Sequence, residues 1–341
     1  GRPVSRTPET HGAQVSAGQS APLGKPGNPA DAEAGPRPIV LLTEHLDDEP
    51  AAWLRERCTV IAAAPDSPEF AAAAGTASAL LVRTYTRVDA ALLDRLPRLR
   101  VVARAGVGLD NVDQDACAAR NIRVLNTPDA NTSAVIEFVT ALMLDATRPR
   151  LFLSEAVEPA RWKELRQELR ARKQLRELTL GIWGLGRIGS GVARVGAALG
   201  MRVIYHDLLT FDGPRRFGAE PVSREDLCAQ SDILTVHIDG RKSNRHAVNA
   251  DAINRLRSDV IFINTSRGFV VDTIALADFM IAHPAASALL DVHEPEPFDA
   301  TYPLLEIENV HLSPHIASST DLAQKNMSWV VKDLYDALQA P

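Results

Sequence analysis

Beyond residue 38, two kinds of run alternate along the chain. Short apolar runs at Ile39–Thr43, Ala79–Val82, Arg100–Ala103 and Ile122–Leu125 read as strands. Between them, Pro50–Arg57, Asp89–Leu96 and Asp113–Arg120 read as helices. Such alternation implies parallel strands joined by crossover helices. A long apolar-periodic helix follows, Ser133–Arg148, stopped by Pro149. Next, Glu155–Glu177 interleaves acids and bases in a helical pattern, which suits a solvated or subunit-facing helix. A second series then opens with strand Leu178–Trp183, helix Arg187–Leu199 and strand Arg202–His206. Further strands are expected at Ile233–His237, Val260–Asn264, Ala288–Val292 and Val310–Ser313, with a closing helix over Asp321–Leu338. Two such series predict two α/β domains, each a doubly wound parallel sheet. No repeat of solenoid period interrupts them.

Composition narrows the function classes. A length of 341 residues suits two domains with substantial cores. No apolar run approaches the 18 residues a membrane span needs. The net charge of −6 argues against a nucleic-acid-binding surface, which requires clustered Lys and Arg. Cys58, Cys117 and Cys228 are odd in number and lack metal-ligand spacing, so no metal site is expected. They fit reduced thiols in a cytoplasmic protein. Residues 1–38 hold no aromatic side chain and are rich in Pro, Gly, Ser and Ala. They read as a disordered leader without the apolar core of a signal peptide.

The second series carries the first chemical signal. Gly184-Leu185-Gly186-Arg187-Ile188-Gly189 lies between a strand and a helix. Gly184 would allow the tight turn, Gly186 the approach of a pyrophosphate, and Gly189 the close packing of helix on sheet. The helix N-terminus offers unpaired N–H groups to phosphates. Asp207 follows Gly189 by 18 residues, at the end of the next strand, where an acid can accept from ribose hydroxyls and repel a 2′-phosphate. The reading is a Rossmann-like domain that takes NAD. Arg215 and Arg216 nearby keep NADP open.

Three further residues sit at strand ends of the same series, where open α/β sheets bind their ligands. Arg267 follows Asn264-Thr265-Ser266, Glu296 lies in Asp291-Val292-His293-Glu294-Pro295-Glu296-Pro297, and His315 follows Pro314. Hydride transfer to a 2-keto acid needs a proton donor for the developing alkoxide and a fixed cation for the carboxylate. A histidine oriented by a carboxylate supplies the first, and arginine's planar fork the second. Each residue taken alone also has a structural explanation. Their order and contexts together favour the site.

With these motifs the chain resembles the D-isomer-specific 2-hydroxyacid dehydrogenases, from Ile39 to Leu338. Motifs in family order are Arg104-Ala105-Gly106-Val107-Gly108-Leu109-Asp110-Asn111-Val112-Asp113, Asn126-Thr127-Pro128, the glycine fingerprint, Asn264 to Gly268, Asp291 to Pro297, and Pro314-His315. The resemblance implies that Arg267, Glu296 and His315 are catalytic, and that Glu296 rather than Glu294 pairs with the histidine. Backbone amides of Gly106, Val107 and Gly108 would hold the substrate carboxylate. Arg187 and Ile188 would touch the pyrophosphate, Thr265 and Ser266 the cofactor wall, and Asp291 the nicotinamide amide. It also implies a discontinuous substrate-binding domain over 39–131 and 317–341, an NAD-binding domain over 132–316, and a homodimer.

Within the family, Leu81 to Thr86 together with Arg104 is most similar to 3-phosphoglycerate dehydrogenases, with Arg83 and Arg104 at positions that would meet the substrate phosphate. Glyoxylate or hydroxypyruvate reduction is the alternative. A non-enzymatic NAD(H)-sensing binding protein, like the corepressors that share the fold, is a third reading. No regulatory domain is read after the final helix, so serine feedback through one is not expected. The sequence departs from the family's pattern at Ile238-Asp239-Gly240, at Phe269 and at His293. Asp239 and Phe269 bear on cofactor affinity and pocket shape.

Overall fold

The structure, a computed structural model, describes residues 37–211 and 213–340, without the side chains of Pro214 and Arg215. The expected leader over 1–38 lies outside the described residues save for its last two, and so does the Arg215 side chain.

The first sheet has five parallel strands in the order β2-β1-β3-β4-β5. These are β1 Ile39–Leu42, β2 Thr59–Ala62, β3 Ala79–Val82, β4 Val101–Arg104 and β5 Arg123–Leu125. Helices α1 Asp48–Arg55, α2 Pro68–Ala74, α3 Ala90–Asp94 and α4 Gln114–Ala118 connect them. Each helix begins at a side chain that accepts from a first-turn N–H: Asp47, Ser67, Asp89 and Asp113. Neither β2 nor α2 was expected. β2 is an edge strand with no fully buried residue, whereas all four residues of β3 are buried.

The second sheet has seven parallel strands in the order β12-β11-β10-β9-β6-β7-β8. They are β6 Thr179–Trp183, β7 Arg202–His206, β8 Glu220–Pro221, β9 Ile233–Val236, β10 Ile261–Asn264, β11 Ser287–Leu290 and β12 Val310–Leu312. The chain runs outward from β6 through β7 and β8, then returns to β9 on the other side of β6. That reversal opens a crevice at the carboxyl ends of β6 and β9, where such sheets bind nucleotides.

Helix α5, Thr132–Thr147, packs on the second sheet's cluster through Val135, Val139 and Met143. A Cβ at Gly191 would collide with Ile136, so glycine lets α5 lie directly against α7, Arg187–Ala198. The charged stretch is helical only over α6, Pro159–Glu168, with a 3-10 turn at Leu175–Glu177. The remaining helices before the C-terminus are α8 Gly213–Arg216, α9 Arg224–Gln230, α10 Ala250–Ile253 and α11 Thr273–Ala282.

The closing helix is two helices, α12 Asp321–Ser328 and α13 Val330–Gln339, broken at Trp329, whose indole packs edge-on against Trp53. α13 lies on the first sheet. Val330, Val331, Leu334 and Leu338 are buried with Val40, Leu42, Leu81 and Val101. Among the described residues, no helix is long and apolar enough to cross a membrane.

Candidate active site

At the carboxyl end of β6, each glycine of the fingerprint has a distinct environment. Gly184 has φ 97°, a left-handed backbone that suits glycine, and a Cβ there would press on the backbone of His237. A Cβ at Gly186 would meet nothing within 4 Å, so the chain leaves open space on that face. A Cβ at Gly189 would collide with the Gly184 carbonyl, which fixes how closely α7 sits on the turn. Asp207, just past β7, accepts from Leu185 N at 2.7 Å and from Leu209 N at 2.8 Å, so its carboxylate stands beside the turn. Arg187 opens α7 and reaches Asp129 at 2.7 Å, in the segment that joins the two sheets, while Ile188 packs on the core beneath. On the adjacent wall, Thr265 and Ser266 are buried. Ser266 donates to Asn264 Oδ1, whereas Thr265 Oγ1 has no partner among the described residues. An open glycine turn, a carboxylate at the next strand and an orphaned hydroxyl fit a dinucleotide. Gly184, Gly186, Arg187, Gly189, Asp207 and Thr265 are the residues that would hold it.

Arg267 follows β10 and meets residues from the first sheet. Its Nε donates to Asp110 Oδ2 at 2.8 Å, its Nη2 lies at the same distance from that oxygen as an ion pair, and its Nη1 donates to Ser266 O at 2.6 Å. A Cβ at Gly108 would overlap the Arg267 guanidinium, and one at Gly106 would overlap that of Arg104. The Gly106–Gly108 loop therefore lies beneath two guanidinium groups.

The Gly106 N–H donates to Arg104 O at 2.8 Å, closing a tight turn. No described backbone carbonyl accepts from the Val107 or Gly108 N–H. Asn126 steadies the loop by donating to Val107 O at 2.6 Å.

Arg104 donates through Nε to Arg83 O at 2.9 Å. Burial, with the charges of Arg267 and Arg83, pulls the Arg104 guanidinium down to about 10, against the opposing influence of Asp110 and Glu44. This crowding of cations favours an anion beside it. The Arg83 guanidinium turns toward α12, hydrogen-bonded to Gln324 and, at 3.1 Å, to His45 O. Glu44 accepts from the backbone N–H groups of Arg83, Thr84, Tyr85 and Thr86 at 2.9–3.1 Å. Burial raises its pKa, but these four bonds outweigh that and hold the carboxyl below its ordinary range.

His315 and Glu296 come together across 19 positions of sequence. His315 Nδ1 lies 2.8 Å from Glu296 Oε2, while Glu296 Oε1 accepts from His293 N at 2.7 Å. Burial pushes the Glu296 carboxyl up. The bonds from His315 and His293, and their charge, outweigh it, so the group lies below the usual carboxylate value. An ionised carboxylate only accepts, so Nδ1 carries the proton. Glu294 instead pairs with Arg245.

Asp291, expected at a nicotinamide amide, is fully buried. Its carboxylate accepts from Ser313 Oγ at 2.5 Å, Ile316 N at 2.9 Å and Ala317 N at 2.8 Å. Those bonds hold the turn in which His315 adopts φ 54°. His293 packs edge-on to Phe298 and Tyr302, as an aromatic ring would, and its Nε2 lies 2.8 Å from Ser313 O.

The profile of the D-isomer specific 2-hydroxyacid dehydrogenase NAD binding domain matches residues 140–317. The chain belongs to the D-isomer-specific 2-hydroxyacid dehydrogenase family. Its second sheet is that family's NAD-binding domain. A glyoxylate reductase of Aeropyrum pernix is 36% identical over 88% of this chain and 89% of its own length. A D-3-phosphoglycerate dehydrogenase of Mycobacterium leprae is 37% identical over 84% of this chain. The chain spans only 54% of that relative's length. The structure of a D-lactate dehydrogenase from Aquifex aeolicus, complexed with NAD and lactic acid, superposes with a TM-score of 0.73 at 26% identity, over 89% of this chain and 94% of that one.

Asp110, Glu44, His293 and the positioning role of Asp291 were missed as parts of the site. Asp110 stood within a quoted motif, and its side-chain chemistry was the available signal. Nothing in the sequence links Glu44 to the loop 39 positions away.

Proposed function

We propose that this dehydrogenase interconverts a D-2-hydroxy acid and its 2-keto acid, with Arg267, Glu296 and His315 as the catalytic set. The observation that carries the reading is the pairing of His315 Nδ1 with Glu296, whose partner His293 lies against Gly268, the residue after Arg267. Bound NAD supplies the hydride acceptor, and NADH the hydride donor. Arg267, with Arg104 behind it, holds the substrate carboxylate and polarises the adjacent carbonyl. In reduction, His315 gives the proton on Nε2 to the oxygen that becomes the hydroxyl, and Glu296 stabilises the imidazolium beforehand. In oxidation, the neutral Nε2 takes that proton back.

For the substrate, we propose 3-phosphoglycerate and 3-phosphohydroxypyruvate. Arg83, Arg104 and Arg267 bring three guanidinium forks close together, which suits two anionic groups even though Asp110 and Glu44 offset part of their charge. The phosphoglycerate dehydrogenase relative supports this reading. One observation favours glyoxylate or hydroxypyruvate instead: the Arg83 guanidinium is engaged by Gln324 and the His45 carbonyl. Steady-state rates separate the two, measured with 3-phosphoglycerate and NAD, and with hydroxypyruvate or glyoxylate and NADH. If Arg83 meets the phosphate, Arg83→Ala lowers kcat/KM for the phosphorylated acid about tenfold or more, the scale of one charge-assisted contact, and spares glyoxylate. Equal rates of Arg83→Ala and wild type on the phosphorylated acid would refute this substrate.

We also propose a homodimer. Helix α6 has no buried residue, and Leu151, Phe152, Leu153 and Trp162 around it are exposed. An apolar group of this kind suits a second copy of the chain.

A further inference from the structure

We propose that Asp110 is a positioning residue that aims the Arg267 guanidinium across the cleft. The inference rests on the reading of Arg267 as the carboxylate holder. Arg267 stands at the end of β10 on the second sheet, whereas Asp110 follows β4 on the first, 157 positions away. A guanidinium has five N–H groups in a fixed fork. In Arg267, Nε donates to Asp110 Oδ2 at 2.8 Å, Nη2 lies 2.8 Å from the same oxygen as an ion pair, and Nη1 donates to Ser266 O at 2.6 Å. At least one N–H group remains on each terminal nitrogen. This is the pair that can grip a substrate carboxylate in bidentate fashion. Asp110 takes the side of the fork and leaves its end.

The slot is shaped for this contact from both sides. A Cβ at Gly108 would overlap both Arg267 Nη2 and Asp110 Oδ2. A Cβ at Gly240, beyond β9, would overlap Asp110 Oδ1 and lie 3.2 Å from Arg267 Cγ. Two glycines, one from each sheet, thus make room for one carboxylate–guanidinium pair. Gly240 belongs to the Ile238-Asp239-Gly240 segment where the sequence departs from the family's pattern, so the departure lies against the site without obstructing it. Asp239 turns to Arg241 and Asn244 rather than to Arg267. Asp110 also opposes the charge that Arg104 and Arg267 impose on each other.

The test uses the full chain with NADH and the keto acid that wild type reduces best, in four variants: Asp110→Ala, Asp110→Asn, Gly240→Ala and Arg267→Ala. Misplacing a binding group by about 1 Å costs on the order of 10²-fold, so Asp110→Ala is expected to lower kcat/KM by about that factor, mainly through KM. NADH affinity and the melting temperature should stay at wild-type values. Asp110→Asn keeps an oxygen acceptor and recovers part of the loss. Gly240 lies outside the left-handed region, so Gly240→Ala displaces the flexible end of Asp110 rather than the backbone and reproduces the KM rise in milder form. Wild-type or lower KM in Asp110→Ala would overturn the inference, because a carboxylate that merely competed with substrate would give that result. A loss in Asp110→Ala that tracks a lowered melting temperature, with Asp110→Asn and Gly240→Ala unaffected, would overturn it as well. An Arg267→Ala variant as active as wild type would overturn both this inference and the reading beneath it, whereas its collapse beside an unaffected Asp110→Ala would overturn the inference alone.

Discussion

His315 adopts φ 54°, a left-handed backbone that costs a side-chain-bearing residue about 1–2 kcal/mol. Strain of this kind persists only where the surroundings over-determine it. Here the buried Asp291 carboxylate, with bonds to Ser313, Ile316 and Ala317, holds the turn and so directs the imidazole toward Glu296. Glu296 is in turn held by the His293 N–H. Because hydrogen bonding lowers the native pKa of Glu296 below its ordinary 4.5, the ionised group stabilises the fold fully above that value. The stability is lost as pH falls through the lowered native value. Melting temperatures of wild type and Glu296→Gln should therefore draw together as pH falls below the ordinary carboxylate range, where Glu296 takes up a proton. A gap that persists undiminished into strong acid would contradict the pairing. Arg267, Glu296 and His315 could be singled out in the sequence as candidates because their side chains carry recognisable chemistry in recognisable order. Asp110 and Glu44 could not, because their importance depends on which distant N–H groups the fold brings to them.

At the scale of elements, the turn between β6 and α7 separates a contact needed for folding from space needed for binding. Gly189→Ala would drive a Cβ into the Gly184 carbonyl and should lower the melting temperature as well as NADH affinity. Gly186→Ala points its methyl into open space. It should leave the melting temperature unchanged and weaken NADH binding alone, as read by fluorescence titration. Equal NADH affinity in Gly186→Ala and wild type would contradict the assignment of that space to a phosphate. The strands flanking this turn were legible because they are buried on both faces and read as unbroken apolar runs. β2 was not, since this edge strand half-buries only its two central residues and leaves both ends exposed, a pattern that matches no template. Charge periodicity also misled: Glu155–Glu177 looks helical throughout, yet only Pro159–Glu168 forms an α-helix. The break at Trp329 was equally invisible, because it follows from packing against Trp53, nearly the whole chain away.

At the scale of the whole molecule, the proposed chemistry needs both sheets. The first contributes Arg104, Asp110 and the Gly106–Gly108 loop, and the second the cofactor turn, Arg267, Glu296 and His315. The proposed dimer adds a second copy over the exposed Leu151, Phe152 and Trp162, of which Phe152 is 87% exposed. Sedimentation velocity should give a dimer for wild type and a monomer for a Phe152→Asp, Trp162→Asp double variant. A wild-type monomer would contradict that proposal. The most direct test of the account is single-turnover oxidation of enzyme-bound NADH by hydroxypyruvate, followed by nicotinamide absorbance in wild type and His315→Ala. The account predicts rapid loss of NADH in wild type, and a rate lower by about 10²–10⁴-fold in the variant, which still binds NADH normally. Equal rates in the two proteins would contradict the assignment of His315 as the proton donor.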